Sequence, residues 1–124
     1  MDETNEGALC LEKPDKMMLV VGHNKKETEF YIKLTDETLK GAPERAVLQY
    51  CWVRPGLVDL HHTGVPDQFR HRGIAARLAK AVLDHFVSNG VNMRLTCTYL
   101  QKYVRDNPIP RYMSRIEEFV VHAD

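Results

Sequence analysis

Apolar and polar positions follow two different periods along the chain. Up to residue 65 the period is short. Met17-Met18-Leu19-Val20-Val21 is an apolar run, Asn24-Lys25-Lys26-Glu27 a polar turn, and residues 28–34 alternate, with Phe30 and Ile32 on one face and Tyr31 and Lys33 on the other. That pattern predicts a β-hairpin. Residues 35–44 contain Gly41 and Pro43 and read as a longer loop. Residues 45–53 are β-like, Arg54-Pro55-Gly56 is a turn, and residues 57–65 form a second strand that Pro66 ends, because proline has no N–H for the ladder. Tyr50, Cys51 and Trp52 are expected in the core of the first of these strands, and Met17 and Met18 are also expected as core.

From residue 73 the period lengthens. Ile74, Leu78, Val82 and Phe86 recur every four positions against Arg77, Lys80, Asp84 and Ser88, which predicts an amphipathic helix over 73–89. Gly90 stands where a C-terminal cap glycine belongs. Residues 91–97 alternate again as a strand, and residues 99–106 suit a short helix stopped by Pro108 and Pro110. The predicted order is four meandering strands, a helix, a strand and a short helix. A strand–helix–strand passage from 57 to 97 should be a right-handed crossover that lays its two strands parallel. The expected class is therefore α+β, a mostly antiparallel mixed sheet with one parallel pair. Where parallel neighbours diverge, backbone groups are left free for a ligand. The first 16 residues read as a loose tail, 17–116 as one domain and 117–124 as a C-terminal tail.

Composition narrows the function classes. The 124 residues hold 17 basic and 17 acidic groups and are 44% hydrophobic, ordinary for one globular domain. The neutral balance argues against a general nucleic-acid binder, and no apolar run approaches the ~20 residues of a membrane helix. Three cysteines, Cys10, Cys51 and Cys97, fit neither a zinc spacing nor a dense disulfide scaffold. With no apolar leader after Met1-Asp2-Glu3, the expected location is the cytoplasm or nucleus. The zero charge is uneven, however: residues 1–62 carry a net of −3 and residues 63–124 a net of +3.

The excess of positive charge has a chemical setting. Val65-Pro66-Asp67-Gln68-Phe69-Arg70-His71-Arg72-Gly73-Ile74-Ala75 leaves a strand, passes through basic residues and enters a helix at a glycine. A helix start offers unpaired N–H groups and partial positive charge, a natural place for phosphate. Gly73 lets backbone approach closely, and Arg70, His71 and Arg72 add donors. The same spacing also opens an ordinary surface helix. Neither the dinucleotide glycine pattern nor the P-loop lysine signature is present.

These residues resemble the coenzyme A pyrophosphate motif of the GNAT superfamily of acetyl-CoA-dependent N-acetyltransferases, and most closely its compact branch of short N-acetyltransferase-domain-containing proteins. Three motifs occur in order: His62-Thr63-Gly64-Val65-Pro66, Arg72-Gly73-Ile74-Ala75, and Cys97-Thr98-Tyr99-Leu100-Gln101-Lys102-Tyr103. The resemblance spans about residues 18–115. It implies a compact GNAT fold with the parallel crossover at the coenzyme site, acetyl-CoA as co-substrate, no metal, and an amine acceptor of unknown identity, a small amine or a protein lysine or N-terminus. Thr63, Val65, Arg70, His71, Arg72, Gly73, Ile74 and Ala75 would hold the coenzyme, with Asn107 meeting it from beyond the second helix.

The catalytic candidates are four. Cys97 ends a strand before a helix and either accepts the acetyl group or lines the pocket. His62 is of the residue type suited to proton transfer near neutrality and is the candidate base; a structural strand histidine is the other reading. Tyr99 and Tyr103 stand i,i+4, and either both pack in the core or one reaches the departing thiol. Some relatives carry a glutamate where this chain has Gly64, so their base does not transfer directly. Three readings follow: an N-acetyltransferase working by direct attack, a non-catalytic acyl-CoA-binding or interaction module, and a structural domain with an accidental phosphate-like turn.

Overall fold

The computed structural model describes residues 20–34 and 44–120. Six strands form one sheet in chain order: β1 (Val21–Asn24), β2 (Glu29–Leu34), β3 (Glu44–Arg54), β4 (Leu57–Gly64), β5 (Asn92–Leu95) and β6 (Ile116–Phe119). The first three pairings are antiparallel, and β4–β5 and β5–β6 are parallel. Helix α1 (Ile74–Ser88) connects β4 to β5, while α2 (Thr98–Asp106) and the single turn α3 (Pro110–Met113) connect β5 to β6. The fold is the expected α+β mixed sheet, but it holds a sixth strand and a second parallel pairing, β5–β6, beyond the single parallel pair that the periodicity predicts.

The core forms where the two periods meet. Phe30, Ile32, Leu48 and Leu60 of the sheet pack with Leu78, Val82 and Phe86 of α1, and Leu100 and Val104 of α2 join the same cluster. Helix α1 ends as its glycine predicts. Gly90 has φ +69°, its N–H bonds to the Val87 carbonyl at 3.0 Å, and the Val91 N–H bonds to the Phe86 carbonyl at 2.9 Å, the paired bonds of a left-handed cap.

Several expectations shift. The hairpin turn lies at residues 25–28, not 24–27. Asn24 still pairs with Glu29, its side chain accepts the Glu27 N–H at 3.1 Å, and Thr28 takes φ +53°. Residues 1–19, including the expected tail, Met17 and Met18, lie outside the described residues, as does most of the 35–44 loop.

Of the three residues expected in the core of β3, only Tyr50 is buried; Trp52 is 49% exposed and Cys51 is exposed. The reason is length. The β2 partner ends at the Glu29–Gln49 pair, so the far end of β3 has β4 alone beside it. Trp52 lies edge-on to Phe86 at the rim, ring centroids 5.9 Å apart.

Residues 117–119, expected as tail, belong to β6. Pro110, expected as a stop, begins α3, the helix position where a missing N–H costs nothing.

One irregularity positions the site. Gln49 faces His62, yet Tyr50 faces Leu60, so His61 is an extra residue in β4. The bulge changes which side chains share a face. Past it, Thr63 stands opposite buried Leu48, while His62 and Gly64 stand opposite Gln49 and Val47.

Candidate active site

Strands β4 and β5 pair only from Leu57 to Leu60. The Thr96 and Cys97 N–H groups both bond to the Leu60 carbonyl, at 3.1 and 3.0 Å. There the two strands part. Cys97 caps the start of α2, its carbonyl accepting the Gln101 N–H at 3.1 Å. From His62 to Gly64, β4 keeps β3 on one side and faces a cleft on the other. Its edge there is free of a strand partner, the property that lets backbone receive an extended ligand.

Two cavities occupy this opening. One, about 430 Å³, runs from Thr63 and Val65 past Phe69, Arg70 and His71 to Gly73, Ile74, Ala75 and Ala76. The other, about 340 Å³, is lined by His61, His62, Thr96, Cys97 and Thr98. Thr63 and Tyr99 belong to both walls.

The loop before α1 is built to present backbone. A 3-10 turn over Asp67–Phe69 buries the Phe69 ring, and Arg72 lies over that ring at 5.2 Å. His71 at φ +66° and Gly73 at φ +78° then reverse the chain in left-handed conformations. No side chain caps α1, and its first internal bond runs from the Arg77 N–H to the Gly73 carbonyl at 3.0 Å. The N–H groups of Ile74, Ala75 and Ala76 therefore have no partner within the helix. A Cβ added at Gly73 would meet no atom within 4 Å. That is open space beside unpaired donors and a positive helix end, and the chemistry fits a pyrophosphate. Arg70 folds back on the loop, its Nε 3.2 Å from Asp67 Oδ1 and 3.5 Å from the Val65 carbonyl.

The catalytic candidates separate. The Cys97 side chain is buried, 8% exposed, and its thiol donates to Thr63 Oγ1 at 3.4 Å across the gap. Tyr99 faces both cavities; burial first, then the neighbouring Tyr103 and Cys97, push its hydroxyl above the ordinary tyrosine value, so it stays a proton donor. Tyr103 packs against the core with its ring 6.3 Å from Tyr99, and it lines neither cavity. His62 lines the second cavity with its ring over Gly64: its Nε2 is 3.1 Å from the point where a Cβ of residue 64 would sit.

Of the coenzyme candidates, Arg72 and Asn107 line neither cavity. The Asn107 amide instead donates to the Tyr103 carbonyl at 2.9 Å and closes the end of α2. Sequence reasoning missed His61, Phe69, Ala76, Thr96 and Thr98; the bulge puts His61 on the wall of the same cavity as His62. The lone aromatic inside a basic loop was a legible signal for Phe69; the threonines have none, since only the parting of the strands exposes them. Among the described residues no group of three or more His, Cys, Asp or Glu is placed to hold a metal ion, and no helix is long and apolar enough to cross a membrane.

Comparison with known proteins agrees with this architecture. The family model for GCN5-related N-acetyl-transferases matches residues 29–114. The protein NATD1 of Xenopus tropicalis is 46% identical over 97 residues, covering 78% of this chain and 84% of that protein. Human NATD1 is 45% identical, covering 78% and 81%, and zebrafish (Danio rerio) NATD1 is 45% identical, covering 79% and 84%. A GCN5-like putative N-acetyltransferase from Staphylococcus aureus, solved by NMR, superposes with TM-score 0.58 at 22% identity over 84% of this chain and 93% of that one, a likeness of fold. The chain belongs to the GCN5-related N-acetyltransferase family.

Proposed function

We propose that this protein binds acetyl-CoA along β4 and the start of α1 and transfers the acetyl group to a primary amine by direct attack. The observation that carries the reading is the continuity of the site. Unpartnered N–H groups at the start of α1 stand over open space at Gly73, and the cavity beside them leads along the free edge of β4 to Thr63, Cys97 and Tyr99. Pyrophosphate would lie against Ile74, Ala75 and Ala76, with Arg70 and His71 at its side. The pantetheine arm would run along Val65.

An ammonium acceptor must lose a proton before it attacks. His62, at the second cavity, is placed to take it directly or through water. A backbone N–H on the free edge near residues 63–65 would steady the oxyanion. The Tyr99 hydroxyl, kept protonated by burial, would return a proton to the departing thiolate. Cys97 lines the site in this scheme; intact mass after exposure to acetyl-CoA should therefore show no acetyl adduct. The free thiols of Cys51 and Cys97 support a reducing compartment, cytoplasm or nucleus.

Two measurements test the reading. Saturating coenzyme A should raise the melting temperature by mass action, about 2.7 kcal/mol at a hundred times Kd; no shift at millimolar ligand overturns coenzyme binding. Free-thiol release from acetyl-CoA should then depend on an amine within a panel of small amines and peptides. A non-catalytic acyl-CoA-binding module is the second reading, favoured by one observation: among the described residues no carboxylate lines the second cavity. Coenzyme binding with flat traces across the panel would select it.

A further inference from the structure

Thr63 and Cys97 touch where the walls of the two cavities meet. The thiol reaches Thr63 Oγ1 at 3.4 Å. Thr63 belongs to both walls and Cys97 to the wall of the second cavity only. Neither side chain sits on a loose element. Thr63 is paired opposite Leu48 in the interior strand β3. Cys97 is held through its N–H by the Leu60 carbonyl and through its carbonyl by the Gln101 N–H. With both backbones held, the contact opens only by turning the two side chains about χ1, within the space their neighbours leave.

We propose that the Thr63–Cys97 contact sets the length of acyl group this protein accepts, admitting acetyl and turning away acyl chains of four carbons or more. The inference rests on the coenzyme reading above. With the pyrophosphate at α1, the thioester sulfur arrives from the first cavity, and its carbonyl carbon has to face the second for an amine to reach it. The remainder of the acyl group then lies against Cys97 Sγ and Thr63 Oγ1. A methyl fits beside a closed contact. Each further methylene has to displace two side chains that close on each other, and added bulk in such a place is poorly tolerated. One methylene in an apolar subsite is worth roughly 10- to 200-fold in discrimination.

Calorimetric titration of the full chain with coenzyme A, acetyl-CoA, propionyl-CoA and butyryl-CoA tests this without an acceptor. Wild type should bind butyryl-CoA at least tenfold more weakly than acetyl-CoA. Cys97→Ala and Thr63→Ala, which open the contact, should bring the two within about threefold. Thr63→Val keeps the bulk and loses only the hydroxyl, so it should retain the wild-type ratio. Ratios of Kd cancel any general loss of affinity in a variant. Equal binding of butyryl- and acetyl-CoA by wild type, or an unchanged ratio in both alanine variants, overturns the inference while free coenzyme A still binds. Failure of free coenzyme A to bind wild type overturns the coenzyme reading as well.

Discussion

Asp84 shows how one side chain holds two elements together. It lies on the outer stripe of α1, receives the Tyr112 hydroxyl at 2.7 Å and the Arg111 guanidinium at 2.7 Å from α3, and pairs with Lys80 one turn back. Burial pushes its carboxyl upward, but the hydrogen bonds from Tyr112, Lys80 and Arg111 outweigh it and hold the pKa at about 2. A depressed carboxylate stabilises the fold above its unfolded value near 4 and loses that contribution as pH falls toward 2. Allowing for screening at a half-exposed site, the contribution is on the order of 1–2 kcal/mol. Asp84→Asn should therefore lower the melting temperature at pH 7, and the difference from wild type should shrink in scans between pH 4 and pH 2. Gly73 is the other single residue on which much turns. In Gly73→Ala the left-handed φ should cost about 1 kcal/mol of stability, with no clash in the ligand-free protein. Gly73→Glu should abolish the thermal shift with coenzyme A, since it places bulk and negative charge where phosphate would lie. A Gly73→Glu protein that still binds coenzyme would falsify the placement of the pyrophosphate.

Elements are secured here by contacts that a linear pattern does not display. Strand β6 carries no alternation of its own and its residues are half-buried to exposed. It is held by a buried side chain from α2: the Gln101 amide donates to the Leu95 carbonyl at 2.9 Å and the Val120 carbonyl at 2.8 Å. Gln101→Ala should cost about 1 kcal/mol, since the Val120 carbonyl loses its donor while the Leu95 carbonyl keeps the Val120 N–H at 2.9 Å, and hydrogen exchange should show β6 amides losing protection before those of β3. At the other edge, His23 of β1 stacks on Phe30 at 3.9 Å, shares a 2.6 Å hydrogen bond with the Tyr50 hydroxyl and meets the His85 ring of α1 edge-on at 5.0 Å. Burial first, then His85 and Lys25 for His23, and burial then Lys25 for His85, push both imidazoles below their ordinary value. In the window between the unfolded value near 6.5 and the lower folded values, the unfolded chain holds more protons, so stability falls as pH falls. Melting temperature should decline from pH 7 to pH 5.5, and His85→Phe should flatten that decline.

At the scale of the whole molecule, the charge asymmetry acquires a location. Arg70, Arg72, Arg77 and Lys80 lie on the loop before α1 and on its first turns, where Asp67 pairs with Arg70 and Asp84 with Lys80, so residues 66–84 keep a net charge of +2 in a neutral chain. Much of the architecture was legible because periodicity reports burial directly: the four-residue stripe of α1, the alternation of β2 and the glycine at its C-terminal cap all stand where the pattern puts them. The loop before α1 was legible for a related reason, since a left-handed turn into a helix favours glycine and leaves a motif. Trp52 and Cys51 misled because β-propensity does not say how far a neighbouring strand extends. That Tyr99 faces the cavities while Tyr103 packs in the core, and that the Asn107 amide closes the end of α2, could not be read from their positions beside the site, because position does not fix where a side chain points. The sequence by itself determined most of the elements and the family motif, since each depends on neighbours within one turn or strand. The tertiary structure alone decided the rest. The bulge at His61, the parting of β4 from β5 after Leu60, the closure of Thr63 on Cys97 and the capture of the end of β6 by Gln101 join residues 10 to 35 positions apart. Their energies arise from cross-strand register and packing, which no local pattern encodes.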